Sequence, residues 1–324
     1  MISKKQTFFL AVNTGFVKNG LPDRECIEFY KARSGKGIGC TIIGNVVTSG
    51  GYGTNDVCAE ISEDSIWCEL ASVILKNGSI PGIQLSTTWP NYVGNKSFVS
   101  NINDKPIDEY KLSILNLNLK EVELIIANLK KSIDLSIKAG FTHIQIHAAH
   151  GYLFSLLIDP IFSKYSDLFL DSLAEIVENL KYRNIQSSIR FSLLSGSQKL
   201  DKKRAGVIEK IINLNFDFFD VSFGFYNINK HLIYPESDSA LKSRRIKTLD
   251  LANRFPSKNF IISGKIKKEE LLSFPYNVYW GLCRDLIANP NFLLQHDDGC
   301  KNFGMCHYFS NSTSRLKCGN WKVR

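Results

Sequence analysis

Two histidines and a tyrosine form the most informative polar group of this chain, in the segment IQIHAAHGYL at residues 144–153. The apolar residues before His147 predict a buried strand that ends at the group, with His150 and Tyr152 just beyond it. Two imidazoles can donate hydrogen bonds to one carbonyl or phenolate oxygen, and a tyrosine hydroxyl can supply a proton. The motif therefore indicates polarisation of an activated alkene for attack by hydride.

A metal site is the alternative for the histidine pair, but no carboxylate accompanies the pair within the motif. A second group of metal-ligand types lies near the C-terminus, at Cys300, Cys306, His307 and Cys318. Three cysteines and a histidine suit zinc, although the spacing from Cys300 to Cys306 is wider than in a usual zinc knuckle. We predict no metal at the active site and favour unligated thiols in the tail, with zinc kept as the alternative.

Two other loops have residues suited to an anion. Ser263-Gly264-Lys265 follows a predicted strand, and Cys283-Arg284 follows the next one. Gly264 allows backbone N–H groups to approach a phosphate, and Arg284 can bind it in bidentate fashion at the start of a helix. The alternative is an ordinary turn and a surface charge.

The elements that position these residues alternate regularly between short β-branched runs and longer segments of helical period. Each long helical segment connects two strands, which predicts parallel pairing. The predicted strands are Thr7–Asn13, Cys40–Val47, Ile80–Ser86, His143–His147, Ser187–Leu193, Phe216–Ser222, Asn259–Ser263 and Val278–Leu282. The predicted helices are Arg24–Ser34, Glu63–Asn77, Leu119–Ala139, Asp167–Arg183, Lys202–Leu214, Ala240–Arg254, Lys268–Phe274 and Asp285–Gln295.

Eight such units predict an α/β fold of the single (β/α)8 TIM-barrel type over residues 1–299, followed by a cysteine-containing tail over 300–324 that packs on the barrel or extends from it. No G-x-G-x-x-G turn follows the first strand, which weighs against an open doubly wound sheet. Long connections at Gly50–Asp56, Trp89–Leu117 and Phe223–Ser239 all follow strands and are expected on the substrate-binding face. We expect a mobile lid or hairpin within 91–118.

Composition narrows the function classes. The chain is 44% hydrophobic and 22% charged with a net charge of +9, which excludes a disordered protein and suits anionic cofactors or substrates. No basic run with interleaved aromatic residues predicts nucleic-acid binding, and no apolar run is long enough to span a membrane. Residues 1–6 lack the pattern of a signal peptide, so we expect a cytoplasmic protein with reduced cysteines.

The chain resembles the old yellow enzyme family of FMN-dependent oxidoreductases. The segment HAAHGYL at 147–153 is similar to the family's active-site segment, and further matches occur in the same order along about 280 residues. They are GLP at 20–22, EFYKAR at 28–33, GCTII at 39–43, IQL at 83–85, RFS at 190–192, FDVS at 219–222 and RDLIANP at 284–290.

The resemblance implies roles for individual residues. Gln84 would bind the pyrimidine edge of the flavin, and Arg190 would lie near N1 and O2 of the ring. Ala11 would pack beside the ring with a backbone N–H near N5, and Thr14 would bind near O4. His147 and His150 would hold the substrate oxygen, and Tyr152 would donate the proton. The phosphate would be bound by Gly264, Lys265, Cys283 and Arg284.

Several positions depart from the family pattern. Gln84-Leu85 leads into Ser86-Thr87-Thr88, where the family usually has a histidine and soon afterwards an arginine. The loop after Asp159-Pro160 is shorter than in the family and lacks its glycine-rich stretch. Larger relatives bind an iron–sulfur cluster with four cysteines near Cys300, but Phe303 stands where the second cysteine would be required.

The resemblance implies transfer of hydride from NADH or NADPH through FMN to a small α,β-unsaturated carbonyl compound. One alternative is a tailoring enzyme that desaturates, aromatises or isomerises a biosynthetic intermediate. Another is a flavin-binding protein with little catalysis, and the most distant is a barrel without flavin. We expect a small-molecule substrate, no nucleic-acid or membrane partner, and a homo-oligomer as a possibility.

Overall fold

A computed structural model shows a closed barrel of eight parallel strands and describes residues 6–100, 104–295 and 299–323. Each strand pairs with the next along the chain, and the first pairs with the eighth. The predicted α/β barrel is therefore confirmed. Its strands are Thr7–Phe9, Cys40–Val47, Ile80–Ser86, His143–Ala148, Gln186–Ser192, Phe218–Ser222, Phe260–Ile262 and Val278–Leu282.

Alternation along each strand separates the two apolar layers of the barrel. On the first strand, Phe8 packs inside the barrel against Phe218 at 5.0 Å between ring centroids. Its neighbour Phe9 faces outward and meets Tyr30 of the first helix at 5.9 Å. The first strand is shorter than predicted. Its last bond to the eighth strand runs from Leu10 N to Leu282 O, and the residues after Leu10 line the wall of a cavity.

The helices surround the barrel. Asp23 caps the first of them, and Asn118 and Glu121 form a capping box at the start of the longest. The α-helices are Arg24–Ala32, Ile66–Lys76, Lys105–Leu115, Leu119–Lys138, Leu153–Leu157, Ser166–Tyr182, Gln198–Lys203, Ala205–Asn213, Asp238–Arg254 and Arg284–Ala288. Short 3-10 helices cover Lys230–Leu232, Glu269–Ser273 and Gly319–Val323, and a two-stranded hairpin joins Val17–Lys18 to Leu21–Pro22.

Three predicted helices and one predicted connection differ from the structure. Lys268–Phe274 contains a 3-10 helix, and the helix expected over Asp285–Gln295 is only Arg284–Ala288. The segment Lys202–Leu214 contains parts of two helices that meet at Arg204. The buried Arg204 side chain lies inside, where Nε donates to Asp159 Oδ2 at 2.8 Å. The region 91–118 holds the helix Lys105–Leu115.

The described tail residues, 299–323, form no barrel strand and pack on the barrel. Leu316 N donates to Thr14 O, and Arg315 forms ion pairs with Asp23 and Glu25. The Trp321 indole donates to Ile287 O at 2.8 Å. The described residues do not include 1–5, most of the segment that was judged to lack a signal-peptide pattern, or 296–298, just after a predicted helix. Among the described helices, none is long and apolar enough to cross a membrane.

Candidate active site

A cavity opens at the carboxyl ends of the strands and has about 1430 Å³ of empty space, including its open mouth. Residues from several strand ends and from the C-terminal tail line it. Barrels of this type bind substrates and cofactors at this face. Ten of the predicted site residues line the cavity: Ala11, Gln84, His147, His150, Tyr152, Arg190, Gly264, Lys265, Cys283 and Arg284.

Thr14 is the predicted site residue that does not line this cavity. Its hydroxyl accepts a hydrogen bond from Phe16 N at 3.2 Å and also interacts with the Cys26 thiol. Asn13 lines the cavity at this end of the first strand, and its amide donates to Cys58 Sγ at 3.1 Å. The asparagine is therefore placed to contact a ligand, whereas the threonine side chain is engaged by the turn.

The two histidines lie next to each other, with 5.1 Å between their ring centroids. Both side chains are almost fully buried, at 4% exposure for His147 and 7% for His150. Burial and the nearby Arg190 lower the pKa of His147 to about 3. Burial, His147 and the neighbouring guanidinium groups lower the pKa of His150 well below its usual value. Both imidazoles are thus neutral at pH 7, and each carries one N–H.

Hydrogen bonds from the scaffold decide which nitrogen of each ring carries that proton. In His147, Nδ1 accepts from Ala149 N at 3.3 Å, so the proton is on Nε2. In His150, Nε2 contacts Ser222 Oγ at 2.8 Å. That serine oxygen also accepts from Arg190 Nη2 at 3.2 Å and Arg244 Nη2 at 3.3 Å.

Guanidinium groups can only donate, so the two arginines occupy both acceptor positions of the Ser222 hydroxyl. Its own proton is left to be donated to His150 Nε2, which places the His150 proton on Nδ1. Each histidine therefore has one N–H for which the described residues provide no acceptor. This pair can donate to a ligand oxygen.

Tyr152 completes the group, with its ring centroid 5.1 Å from that of His147. Burial and neighbouring tyrosines raise the Tyr152 pKa well above its usual value, so the hydroxyl is protonated at neutral pH. Further tyrosines surround it, among them Tyr92 at 5.7 Å and Tyr226 at 6.2 Å between centroids. The arrangement has a proton donor against the histidine pair within a mostly aromatic wall.

A chain of polar side chains connects the third strand to the sixth below the cavity. Gln84 Nε2 donates to Gln145 Oε1 at 2.5 Å, which leaves the amide oxygen of Gln84 to accept from a ligand. Gln145 Nε2 lies 3.4 Å from Asp220 Oδ2, and that oxygen accepts from Arg190 Nη1 at 2.6 Å. The ion pair fixes the Arg190 guanidinium at the cavity wall.

The seventh and eighth strands lead into a cationic part of the cavity. Gly264 has a φ of +112°, which side-chain-bearing residues rarely adopt, and Lys265 follows it at the cavity wall. The Arg284 guanidinium donates to Pro235 O at 2.7 Å. The helix that begins at Arg284 has only five residues, so the side chains are the main source of positive charge there.

The C-terminal tail contributes a wall that sequence reasoning missed. Residues 306–310 line the cavity, and the His307 ring lies 4.4 Å from the Tyr234 ring. The fully buried amine of Lys230 donates to Asn95 O, Lys96 O and Ser310 Oγ, and so joins two loops to the tail. Other lining residues missed are Asn13, Asn45, Tyr92, Tyr226, Tyr234 and Arg244.

Only the long loops after the strands signalled these contributions, because nothing in their local pattern marks the individual side chains.

The cysteines of the tail were considered as metal ligands. Within the described parts of the chain, no group of three His, Cys, Asp or Glu residues is arranged to hold a metal ion. His307 packs its ring against Phe98 and Tyr234.

Comparison with known proteins identifies the family of this chain. The model of the NADH:flavin oxidoreductase / NADH oxidase family matches residues 13–302, and the chain belongs to that family. An NADPH dehydrogenase of Clostridium acetobutylicum is 25% identical over 290 residues, which cover 82% of each chain. The NADH-dependent flavin oxidoreductase iliE of Hypocrea jecorina is 23% identical over 315 residues, which cover 83% of this chain and 78% of that protein.

A solved structure of histamine dehydrogenase from Rhizobium sp. 4-9 has the same fold, with a TM-score of 0.70 at 14% identity. The match covers 97% of this chain and 50% of that one. The family and its relatives make this protein an old yellow enzyme-like, flavin-dependent oxidoreductase that uses FMN and NAD(P)H and acts on small molecules.

The residues present fit FMN. The cavity offers an amide at Gln84 and a fixed guanidinium at Arg190 for the flavin ring. A glycine with positive φ and the side chains of Lys265 and Arg284 suit a phosphate at the other end.

Proposed function

We propose that this enzyme transfers hydride from NAD(P)H through FMN to the alkene of a small α,β-unsaturated carbonyl compound. The observation that carries the proposal is the pair of unengaged N–H donors on His147 and His150, with Tyr152 beside them. A carbonyl oxygen held by two donors becomes more electron-withdrawing, which activates the conjugated carbon. The bound FMN would supply reversible acceptance and donation of hydride.

The three side chains have separate roles in this proposal. His147 and His150 stabilise the negative charge that develops on the substrate oxygen, and being neutral they do so by hydrogen bonds alone. Tyr152 gives its proton to the carbon next to the carbonyl, and its raised pKa means that the hydroxyl carries this proton at neutral pH. Aromatic side chains around Tyr152 limit the access of water.

For the cofactor, we propose contacts from Ala11, Gln84 and Arg190 to the flavin ring. The phosphate would be bound by the loops that contain Gly264, Lys265, Cys283 and Arg284. Asn13 takes the place that was expected for Thr14, because the threonine side chain does not line the cavity. A cytoplasmic location, a homo-oligomer and the absence of a nucleic-acid partner stay predictions.

The first experiment is an absorbance spectrum of the purified protein, followed by anaerobic addition of NADPH and then NADH. Flavin absorbance that bleaches with a nucleotide and returns on addition of an enone would support the proposal. A Tyr152→Phe variant should still be bleached by the nucleotide but should return slowly with the enone. Bleaching without any return across a panel of enones would contradict the proposed substrate class.

A tailoring reaction is the second candidate, motivated by the departures from the family pattern at Ser86-Thr87-Thr88 and in the short loop after Asp159-Pro160. Such an enzyme would desaturate, aromatise or isomerise a ring compound. For desaturation or aromatisation, the flavin in the same cuvette would be bleached anaerobically by the substrate itself and would be reoxidised when oxygen is admitted. Turnover of a substrate without added nucleotide would decide for this candidate.

A further inference from the structure

Arg244 is a buried arginine whose role the strand-end pattern does not explain. It lies on the helix Asp238–Arg254, its side chain lines the cavity, and only 6% of the residue is exposed. The guanidinium lies 5.1 Å from the centre of the Phe223 ring, and Nη2 donates to Ser222 Oγ. Its Nε is buried and has no hydrogen-bond partner within the part of the chain that the structure describes.

The charge of Arg244 has no directly paired carboxylate. Among the described residues no carboxylate forms an ion pair with it: Asp220 pairs with Arg190 through Oδ2 at 2.6 Å, and Asp220 Oδ1 has no hydrogen-bond partner. Burial and repulsion by Arg190 and Arg284, offset in part by attraction to Asp220, lower the pKa of Arg244 to about 9. A buried cation is costly unless an anion accompanies it. The arrangement therefore calls for an anion from outside the chain.

The neighbours of Arg244 identify where that anion would lie. A Cβ atom placed on Gly264 would lie 3.3 Å from Arg244 Cδ, so the arginine stem runs directly beside the glycine. Lys265 and Arg284 line the same cavity. Three cationic side chains thus surround the loops after the seventh and eighth strands, which suits a doubly charged phosphate ester better than a single carboxylate.

We infer that Arg244 is a ligand of the FMN phosphate, brought to the site by a helix rather than by a strand end. The inference rests on FMN binding, which the family establishes, and goes beyond it in assigning a cation that the predicted phosphate residues do not include. The Nε–H of the guanidinium would donate to the phosphate while Nη2 holds Ser222. The same residue would then connect the phosphate to the serine that contacts His150.

The test compares two ligands that differ by the phosphate. FMN and riboflavin are titrated into the apoprotein, and the quenching of flavin fluorescence gives both dissociation constants. In Arg244→Met, FMN binding should weaken about 10- to 100-fold, as for loss of a charge-assisted contact, while riboflavin binding changes less than about threefold. Arg244→Lys should recover part of the loss because it keeps the charge.

Arg245→Met is the matched control, since Arg245 is the next residue on the same helix and pairs with Glu270 instead. It should leave both dissociation constants unchanged. The inference would be overturned if Arg244→Met weakened the binding of FMN and riboflavin equally, or if it weakened neither. If the unchanged protein binds no flavin, the cofactor assignment fails instead, and a loaded enzyme that reduces no enone would refute only the proposed substrate class. If Arg244→Met does not fold, the FMN-to-riboflavin ratio of Arg244→Lys decides.

Discussion

Removal of the His147 imidazole should weaken the binding of an anionic oxygen without removing the flavin. Nδ1 of His147 accepts from Ala149 N, which places the proton on Nε2, and no described residue accepts from that N–H. A hydrogen bond to a charged group contributes about 1.5–3 kcal/mol, so His147→Ala should raise the dissociation constant of a phenolate about 10- to 150-fold. FMN affinity should change little, since the phosphate and the proposed ring contacts are on other residues.

The assay is a titration of the FMN-loaded protein with a phenol, followed through the flavin absorbance at several pH values. Because the His147 pKa is lowered to about 3, the imidazole stays neutral between pH 5 and 8. The pH dependence of phenol binding should therefore reflect only the ionisation of the phenol itself. His143→Asn is the control, because His143 is equally buried on the same strand but bonds to Gln186 and Ser188.

Two results would refute this reasoning. A phenol affinity that changes with a pKa near 6.5, and loses that dependence in His147→Ala, would show a charged imidazole in place of a neutral donor. Equal weakening in His147→Ala and His143→Asn would show that the loss comes from general disturbance of the strand. Either result would leave the fold and the cofactor unaffected.

Three further predictions follow from other contacts. Ser222→Ala should shift the His150 proton between ring nitrogens, visible in nitrogen-15 spectra of labelled histidine, whereas Ser188→Ala should alter only His143; an unchanged His150 signal would contradict the assigned tautomer. The pKa values of His143 and His147 are lowered to about 4 and about 3, below the value of an unfolded histidine. Below pH 6.5 the unfolded state therefore takes up more protons than the folded state, and the free energy of unfolding decreases as the pH is lowered. At pH 5.5 each should cost about 1.4 kcal/mol in urea unfolding relative to pH 7.5, and equal stability at both pH values would oppose this. Lys230→Met should leave the Asn95 and Lys96 carbonyl oxygens without their hydrogen-bond donor, lower the free energy of unfolding by about 3 kcal/mol and speed proteolysis of the tail. A tail that stays resistant to protease would argue against Lys230 as its attachment to the loops.

The barrel could be predicted from the sequence because its strands are short, apolar and separated by helical periods. Periodicity reports burial, and burial is almost complete along strands such as Ile80–Ser86 and His143–Ala148. Strand and helix ends were less predictable where tertiary contacts override local pattern. Arg204 divides a periodic segment because its guanidinium bonds to Asp159 inside the protein, which no local preference encodes.

The grouping of His147, His150 and Tyr152 at the cavity was predictable because these residues lie close together in the sequence, at the end of a buried strand. Residues that reach the cavity from distant segments were not. The tail residue His307 lines the cavity more than 150 residues after the motif, and Arg244 projects from the middle of a helix. At the end of the first strand, Asn13 lines the cavity and the side chain of the predicted residue Thr14 bonds within the following turn, a difference of one residue that the sequence pattern does not resolve.

The distribution of charge explains why the site can use neutral histidines beside an anionic ligand. Arg190 and Arg244 approach His150 through Ser222, and their positive field, with burial, lowers its pKa. The same field favours negative charge on a reduced flavin or on a substrate oxygen. If the histidines were protonated instead, their added charge would repel these arginines in a buried space. Fixed guanidinium groups therefore supply the charge, and the histidines supply direction through one N–H each.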